Sequence, residues 1–304
     1  VSAVVAAPIA PSPIYLIDAS VYVFRAYFSS PSEFVDREGQ PVHAVHGFLG
    51  TLLSILEQAR PSHVLVAFDA SLTSSFRNRI YPAYKANREL PPADLERQFD
   101  HCRKACELLG LTALADAEYE ADDLIGSALT VARRAQVPSV IVTSDKDLSQ
   151  LIGAEDAIWD LARRERFGVA GVIERMGVAP HQVADLLGLT GDAVDNIPGV
   201  PGIGPKTAVP LLAHFGSLDA LLARIDEVPF LRLRGAASAA AKLREHRQMA
   251  LLCRQLAQIA CDAPVPDTLA GYRRRPPDIA ALDDLFDQLN FGPMLRRRAR
   301  EQAG

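Results

Sequence analysis

Ile14–Asp18 reads IYLID, a short apolar run that stops at an aspartate. A run of this length without polar alternation reads as a strand buried on both faces. His63–Asp69, HVLVAFD, repeats the pattern and again ends on an aspartate. Pro138–Asp145, PSVIVTSD, is a third case, and Ala157–Asp160 a shorter fourth. Helical spacing lies between them, over Val21–Tyr27 and over His43–Ala59, where Val45, Phe48, Leu49, Leu52, Leu53 and Leu56 share a face. Buried strands alternating with helices predict an α/β fold with a mainly parallel central sheet flanked by helices. Ligands of such sheets bind beyond the carboxyl ends of the strands. Asp18, Asp69 and Asp145 all fall at that edge. One strand-terminal aspartate can simply cap the next helix; three at one edge make a site.

Further acids fall in the right places. Glu120, Asp122 and Asp123 open a helix running through Leu124, Ile125, Leu129 and Val131, and Asp147 follows Asp145 in TSDKDLSQL. Singly, each is explained as a first-turn acid favoured by the helix dipole. Gly188–Ala208, GLTGDAVDNIPGVPGIGPKTA, adds Asp192 and Asp195 ahead of Gly199, Gly202 and Gly204. An interhelical loop would use glycines for turns and aspartates for caps. Nine converging carboxylates, however, repel one another without counter-charge. An all-oxygen set suits Mg²⁺ or Mn²⁺ rather than zinc. Two such ions ~3.5–4 Å apart activate a water and stabilise the leaving oxygen of a phosphodiester. GIGPKT lacks the Walker A spacing, and no Ser–His–Asp arrangement is signalled. Metal-assisted hydrolysis is the chemistry that fits.

Composition narrows the class. The chain has 304 residues, 49% hydrophobic and 23% charged, as in a soluble globular protein. No apolar run approaches the ~18 residues of a membrane span. Residues 1–13 carry three prolines and no basic residue before the apolar part, which predicts a disordered leader rather than an export signal and a cytoplasmic location. Cys102, Cys106, Cys253 and Cys261 form no CxxC pair and read as buried thiols. The net charge of −5 argues against nucleic acid until its distribution is considered. Arg77, Arg79, Lys85 and Arg88 lie in a stretch without acids, 70–88, and Arg273–Arg275 and Arg296–Arg298 form two more basic clusters.

The segment 71–109 interrupts the alternation and contains FRNRIYPAYKANRELPP, which interleaves Tyr81 and Tyr84 with basic residues. That mixture suits a single strand, with phosphates held by charge and bases by stacking. Around Gly199–Gly204, helix, glycine-rich turn and helix place backbone N–H groups at a helix N-terminus that favours phosphate, and Lys206 adds a point charge.

Together, YEADD, TSDKDLSQL and GDAVDNIPGVPGIGPKTA, with LID and AFDA in the first two strands and LFDQLNFGPML near the end, resemble the bacterial 5′-nuclease family. That family comprises the 5′→3′ exonuclease domain of DNA polymerase I and the stand-alone flap endonucleases. The resemblance covers roughly 14–295. It implies a PIN-like sheet with a helical arch insertion at about 71–109, and a nuclease core over 14–178. A helical DNA-binding region would follow over 179–304, with a helix–hairpin–helix at about 183–215 and a soft boundary. No polymerase is expected in the chain.

The implied activity is structure-dependent cleavage of flapped or nicked DNA near single-strand/double-strand junctions, with 5′→3′ exonuclease activity. The family's metal acids map onto Asp18, Asp69, Glu120, Asp122, Asp123, Asp145, Asp147, Asp192 and Asp195. By analogy a first ion would lie nearer Asp18, Asp69, Glu120 and Asp122, and a second nearer Asp147, Asp192 and Asp195, with Asp145 between. The resemblance implies that Arg77, Lys85 and Arg88 are the arch's basic residues, with Lys85 expected to contact the scissile phosphate and Lys85, Arg77 and Asp145 expected to be catalytic. Tyr84, from the basic–aromatic pattern, is expected to bind DNA with them. Arg25 and Tyr27 fall where the family has a basic and an aromatic residue near the substrate. Gly199, Gly202, Gly204, Lys206 and Thr207 are expected to grip DNA, and the hairpin's similarity implies that the carbonyls of Val200 and Ile203 hold K⁺. A monomer working beside a DNA polymerase and a ligase is expected, with no membrane partner. Ala19 and Ser20 stand where many members have glycine. The rivals are a PIN-like ribonuclease, against which the hairpin and basic insertion argue, and a catalytically silent DNA-binding protein, against which the acids argue.

Overall fold

The computed structural model describes residues 12–31, 33–70, 74–89 and 91–303. All but the end of the expected leader lies outside the described residues. Six strands form one sheet: β1 (Ile14–Asp18), β2 (His63–Asp69), β3 (Thr112–Asp116), β4 (Ser139–Val142), β5 (Ala157–Asp160) and β6 (Glu165–Phe167). Their order is β3-β2-β1-β4-β5-β6, and every pairing is parallel except β5 with β6. Ile17 lies opposite Val66 on one side and Val142 on the other, so β1, β2 and β4 point their carboxyl ends to one edge.

Alternate residues of each strand feed two cores. Tyr15, Ile17, Val64, Val66 and Phe68 pack with α1 (Ala19–Ser29) and α2 (His43–Ala59). Ile14, Leu16, Leu65 and Ala67 pack on the opposite face with Leu124, Ile125 and Leu129 of a helix described below. β3 and β6 are additions to the sequence reading. TALAD is an edge strand, half-buried throughout, whose small residues carry little β preference. β6 has 3 residues.

The expected arch divides in two. α3 (Phe76–Ile80) and the turns after it lie at the acidic edge, whereas α4 (Ala93–Leu108) is the crossover helix between β2 and β3. Leu95, Cys102, Ala105 and Cys106 are buried in the α1–α2 layer, so α4 belongs to the core rather than to an arch. α5 (Ala121–Arg134) covers the other face, and α6 (Val169–Met176) leads into a helical layer. That layer contains α7 (Val183–Thr190), α8 (Pro205–Phe215), α9 (Leu218–Ala223), α10 (Ala236–Glu245) and α11 (Arg247–Ala257).

The chain then returns to the sheet. α12 (Ile279–Gln288) and α13 (Pro293–Glu301) bury Leu282, Leu285, Phe286, Leu295 and Ala299 with α2 and α4. The Arg275 N–H donates to Gly110 O at 3.0 Å. Gly110 has φ +76, and a Cβ there would stand 2.1 Å from Arg275 O, so only glycine lets the returning strand lie this close. The stretch 179–304 is therefore two units in space, a helical layer and a return onto the core. Cys102, Cys106 and Cys253 are buried as expected, but Cys261 is exposed. Among the described residues no helix is long and apolar enough to cross a membrane.

Candidate active site at the carboxyl edge of the sheet

Asp18 ends β1 and caps α1, accepting from the Val21 N–H at 3.4 Å, while Thr143 Oγ1 donates to its other oxygen at 2.8 Å. Burial pushes its carboxyl up to about 7, with the charges of Asp69 and Asp145 adding to burial and the Thr143 hydrogen bond opposing it. Asp69 ends β2 and accepts from the Ala121 N–H at 2.9 Å. Burial raises it too, against the pull of Lys85 and with the push of Glu120. Asp122, in the first turn of α5, is held well above the carboxylate range by burial and then by Asp145, Asp18 and Asp69. Asp145 follows β4, anchored by its own N–H on Thr143 Oγ1 at 2.9 Å and by accepting from the Asp147 N–H at 2.8 Å. Burial and Asp145 push Asp147 up to about 6. Three strand ends and one helix start thus deliver Asp18, Asp69, Asp122 and Asp145 to one spot. Among the described residues, none of these four forms an ion pair with a lysine or arginine.

The donor set fits a hard divalent cation: all oxygens, mutually repelling, without a cationic side chain in contact. Asp147 Oδ1 is buried and is reached by the Lys146 ammonium at 3.2 Å, a cation standing where a bound ion would compensate the same charge. The carboxylates do not form a ready cage; among the described residues no three His, Cys, Asp or Glu side chains converge that tightly.

A second ring of acids surrounds the first, and each carries its own cation. Glu120 accepts from Lys85 Nζ at 2.7 Å and from Arg77 at 3.0 Å. Asp195 is 2.6 Å from Arg88 and 3.9 Å from Lys85. The Tyr84 hydroxyl lies between the two, 3.0 Å from Glu120 and 3.1 Å from Asp195, with one proton to share between them. Lys146 pairs with Asp192 and stands 3.2 Å from Asp147. Despite the upward push of burial, Lys146 holds Asp192 below its usual range. The segment after α3 is pinned over this ring: the Lys85 N–H donates to Asp195 O at 3.0 Å and Asn196 to Ala83 O at 2.6 Å. Lys85 is held at φ +55, a left-handed conformation that lysine adopts only when its surroundings impose it.

Four sequence assignments change. Arg77 is 2% exposed, with donors to Asp123, Glu120, Leu256 O and Gln258 O, so it faces the interior and not DNA. Asp123 is 0% exposed and fully engaged by Arg77 and by the Glu120 and Ala260 N–H groups, which removes it from the metal set. Tyr84 is 3% exposed, its ring packed in the core and its hydroxyl between Glu120 and Asp195, so it is not placed to stack on a base. Gly199 is buried, and a Cβ there would meet Gly191 N at 2.3 Å; it packs the hairpin instead of gripping DNA.

Gly202, Gly204 and Lys206 are exposed, with Thr207 half-buried beside them at the start of α8. Val200 and Ile203 bury their side chains, and the Ile203 N–H donates to Val200 O at 3.0 Å. Arg25 is exposed on α1, whereas the Tyr27 hydroxyl is tied to Asp94 at 3.1 Å. Sequence reasoning missed Thr143, Ser20 and Lys146. Ser20 accepts from the Asp69 N–H at 3.0 Å, a role no glycine there could fill. The signal for Lys146 was its place between two aspartates.

Two family models cover the chain in succession: the 5′-3′ exonuclease N-terminal resolvase-like domain over 13–177 and the 5′-3′ exonuclease C-terminal SAM fold over 178–280. The chain belongs to the 5′-3′ exonuclease family. Among its relatives, DNA polymerase I of Pseudomonas aeruginosa is 39% identical over 95% of this chain and 32% of its own length. DNA polymerase I of Rhizobium leguminosarum is 36% identical over 94% of this chain and 28% of its own length. The chain thus spans about a third of the family relatives it matches. In fold it is similar to the T5 5′-exonuclease with bound zinc, at TM-score 0.65 and 19% identity over 96% of this chain and 99% of that one. The catalytic core of Rad2 in complex with DNA substrate gives TM-score 0.61 at 14% identity, over 96% of this chain and 91% of that one.

Proposed function

We propose that this chain is a structure-specific 5′ nuclease, a 5′→3′ exonuclease and 5′-flap endonuclease acting where single-stranded DNA meets duplex. The observation that carries the reading is the group of cation-free acids Asp18, Asp69, Asp122 and Asp145, roofed by the basic segment bearing Lys85 and Arg88. Asp18, Asp69, Glu120, Asp122, Asp145, Asp147, Asp192 and Asp195 would hold two or more Mg²⁺ or Mn²⁺ ions. When bound, these ions supply Lewis-acid stabilisation of charge developing on the phosphodiester oxygens. Lys85 and Arg88 are bound to Glu120 and Asp195, and an incoming phosphate offers them an alternative charge-assisted partner. Gly202, Gly204, Lys206 and Thr207 form the grip on duplex DNA, with the Val200 and Ile203 carbonyls as the candidate K⁺ ligands. The protein would act as a cytoplasmic monomer alongside a polymerase and a ligase.

The decisive experiment incubates 5′- and 3′-labelled flap DNA with Mg²⁺ or with EDTA. The expected result is metal-dependent cutting near the flap junction that releases the 5′ end; cutting in EDTA, or cutting of RNA alone, overturns the proposal. Lys85→Ala should lower single-turnover cleavage roughly a hundredfold, the scale of losing one preorganised positive group, with a smaller loss of DNA affinity. An unchanged rate removes Lys85 from the reaction.

A further inference from the structure

Lys146 joins two acids that lie far apart in sequence. Its Nζ pairs with Asp192 Oδ2 and stands 3.2 Å from Asp147 Oδ1. Asp192 Oδ1 is already taken by the Val194 N–H at 2.7 Å, so Lys146 occupies its other oxygen. Asp147 Oδ1 is buried, and Lys146 is the cation that reaches it. One ammonium thus contacts one oxygen of each acid, which is the geometry of a bridging ion. The Lys146 side chain remains 55% exposed while that of Asp192 is 5% exposed, so the lysine can swing outward and the aspartate cannot. Asp195 has its own cations, Arg88 and Lys85, so the acids assigned to a second ion are all charge-compensated from within. Asp18, Asp69, Asp122 and Asp145 are not.

We propose that Lys146 is a tethered counter-ion of the outer acids, a positioning residue that must leave before a divalent ion enters there. The inference rests on the metal reading above. An ammonium on the ligands leaves only a fraction of molecules competent to bind, and apparent affinity falls by that fraction. The two ion positions therefore fill in order: the inner acids first, and the outer acids at higher metal concentration.

The test is isothermal titration of the DNA-free protein with Mn²⁺, for the wild type, Lys146→Met and Lys146→Arg. Lys146→Met should tighten the weaker binding step about two- to fivefold, the scale of a partly exposed ion pair, and leave the tighter step unchanged. Lys146→Arg should resemble the wild type. The half-saturating Mn²⁺ concentration for flap cleavage should fall in parallel in Lys146→Met. Weaker or unchanged affinity of the second step in Lys146→Met overturns the proposal, because the lysine then does not compete. If the wild type takes up no Mn²⁺, or Asp145→Asn takes up as much, the metal reading itself fails and this inference falls with it. Thermal melting of each variant confirms that it is folded.

Discussion

Asp145→Asn is expected to reduce flap cleavage about a thousandfold or more, equivalent to several kcal/mol of transition-state stabilisation. After burial, the charge of Asp145 helps to raise Asp18, Asp122 and Asp147 alike, so it stands at the centre of the acids. The amide keeps the shape of the carboxyl and leaves an oxygen for the Asp147 N–H, now 2.8 Å away. It removes one negative charge from a cluster in which like charges oppose one another. The variant should therefore melt no lower than the wild type in EDTA and bind flap DNA at least as tightly. Cleavage and Mn²⁺ uptake should both collapse. Near-normal cutting by a folded Asp145→Asn protein would remove the acids from the chemistry.

Arg77→Met should lower stability by about 3–5 kcal/mol, the cost of leaving one half of a buried ion pair unmatched. For a chain of this size that corresponds to a fall in Tm on the order of 10 °C. Arg77 contacts Asp123 through two nitrogens, at 2.7 and 2.8 Å, and also holds the Leu256 carbonyl at 2.8 Å and the Gln258 carbonyl at 2.9 Å. One guanidinium thereby fastens α3, the first turn of α5 and the end of α11. Arg77→Met alone strands the Asp123 charge. Arg77→Met with Asp123→Leu should recover part of the loss, because neither charge remains buried. Thermal melts of the single and double variants give the coupling directly. A single variant that melts like the wild type but loses DNA affinity would return Arg77 to the substrate surface.

The same pair shows why some site assignments were legible in the sequence and others were not. Asp18, Asp69 and Asp145 were visible because a parallel sheet sends its strand ends to one edge, and an apolar run marks where each strand stops. Asp122 and Asp123 are adjacent acids in one first turn, and local pattern treats them alike. They point about 100° apart on the helix. One meets the acid cluster and the other meets a guanidinium from the chain before it. Arg77 and Lys85 share the same basic stretch, yet one is swallowed and the other roofs the acids. Gly199 and Gly202 share a hairpin, with one wedged against Gly191 and the other exposed.

Local period, run length and residue type were enough to mark the class of sheet, its acidic edge and the glycine-rich turn between two helices. Tertiary structure alone decided which acids stand without a cation, that α4 is a crossover, and that the last helices return to the first core. It also placed Lys146 on Asp192, 46 positions along the chain. Those facts depend on side chains from distant segments competing for the same few ångströms, and a carboxylate's role is set by which charge reaches it.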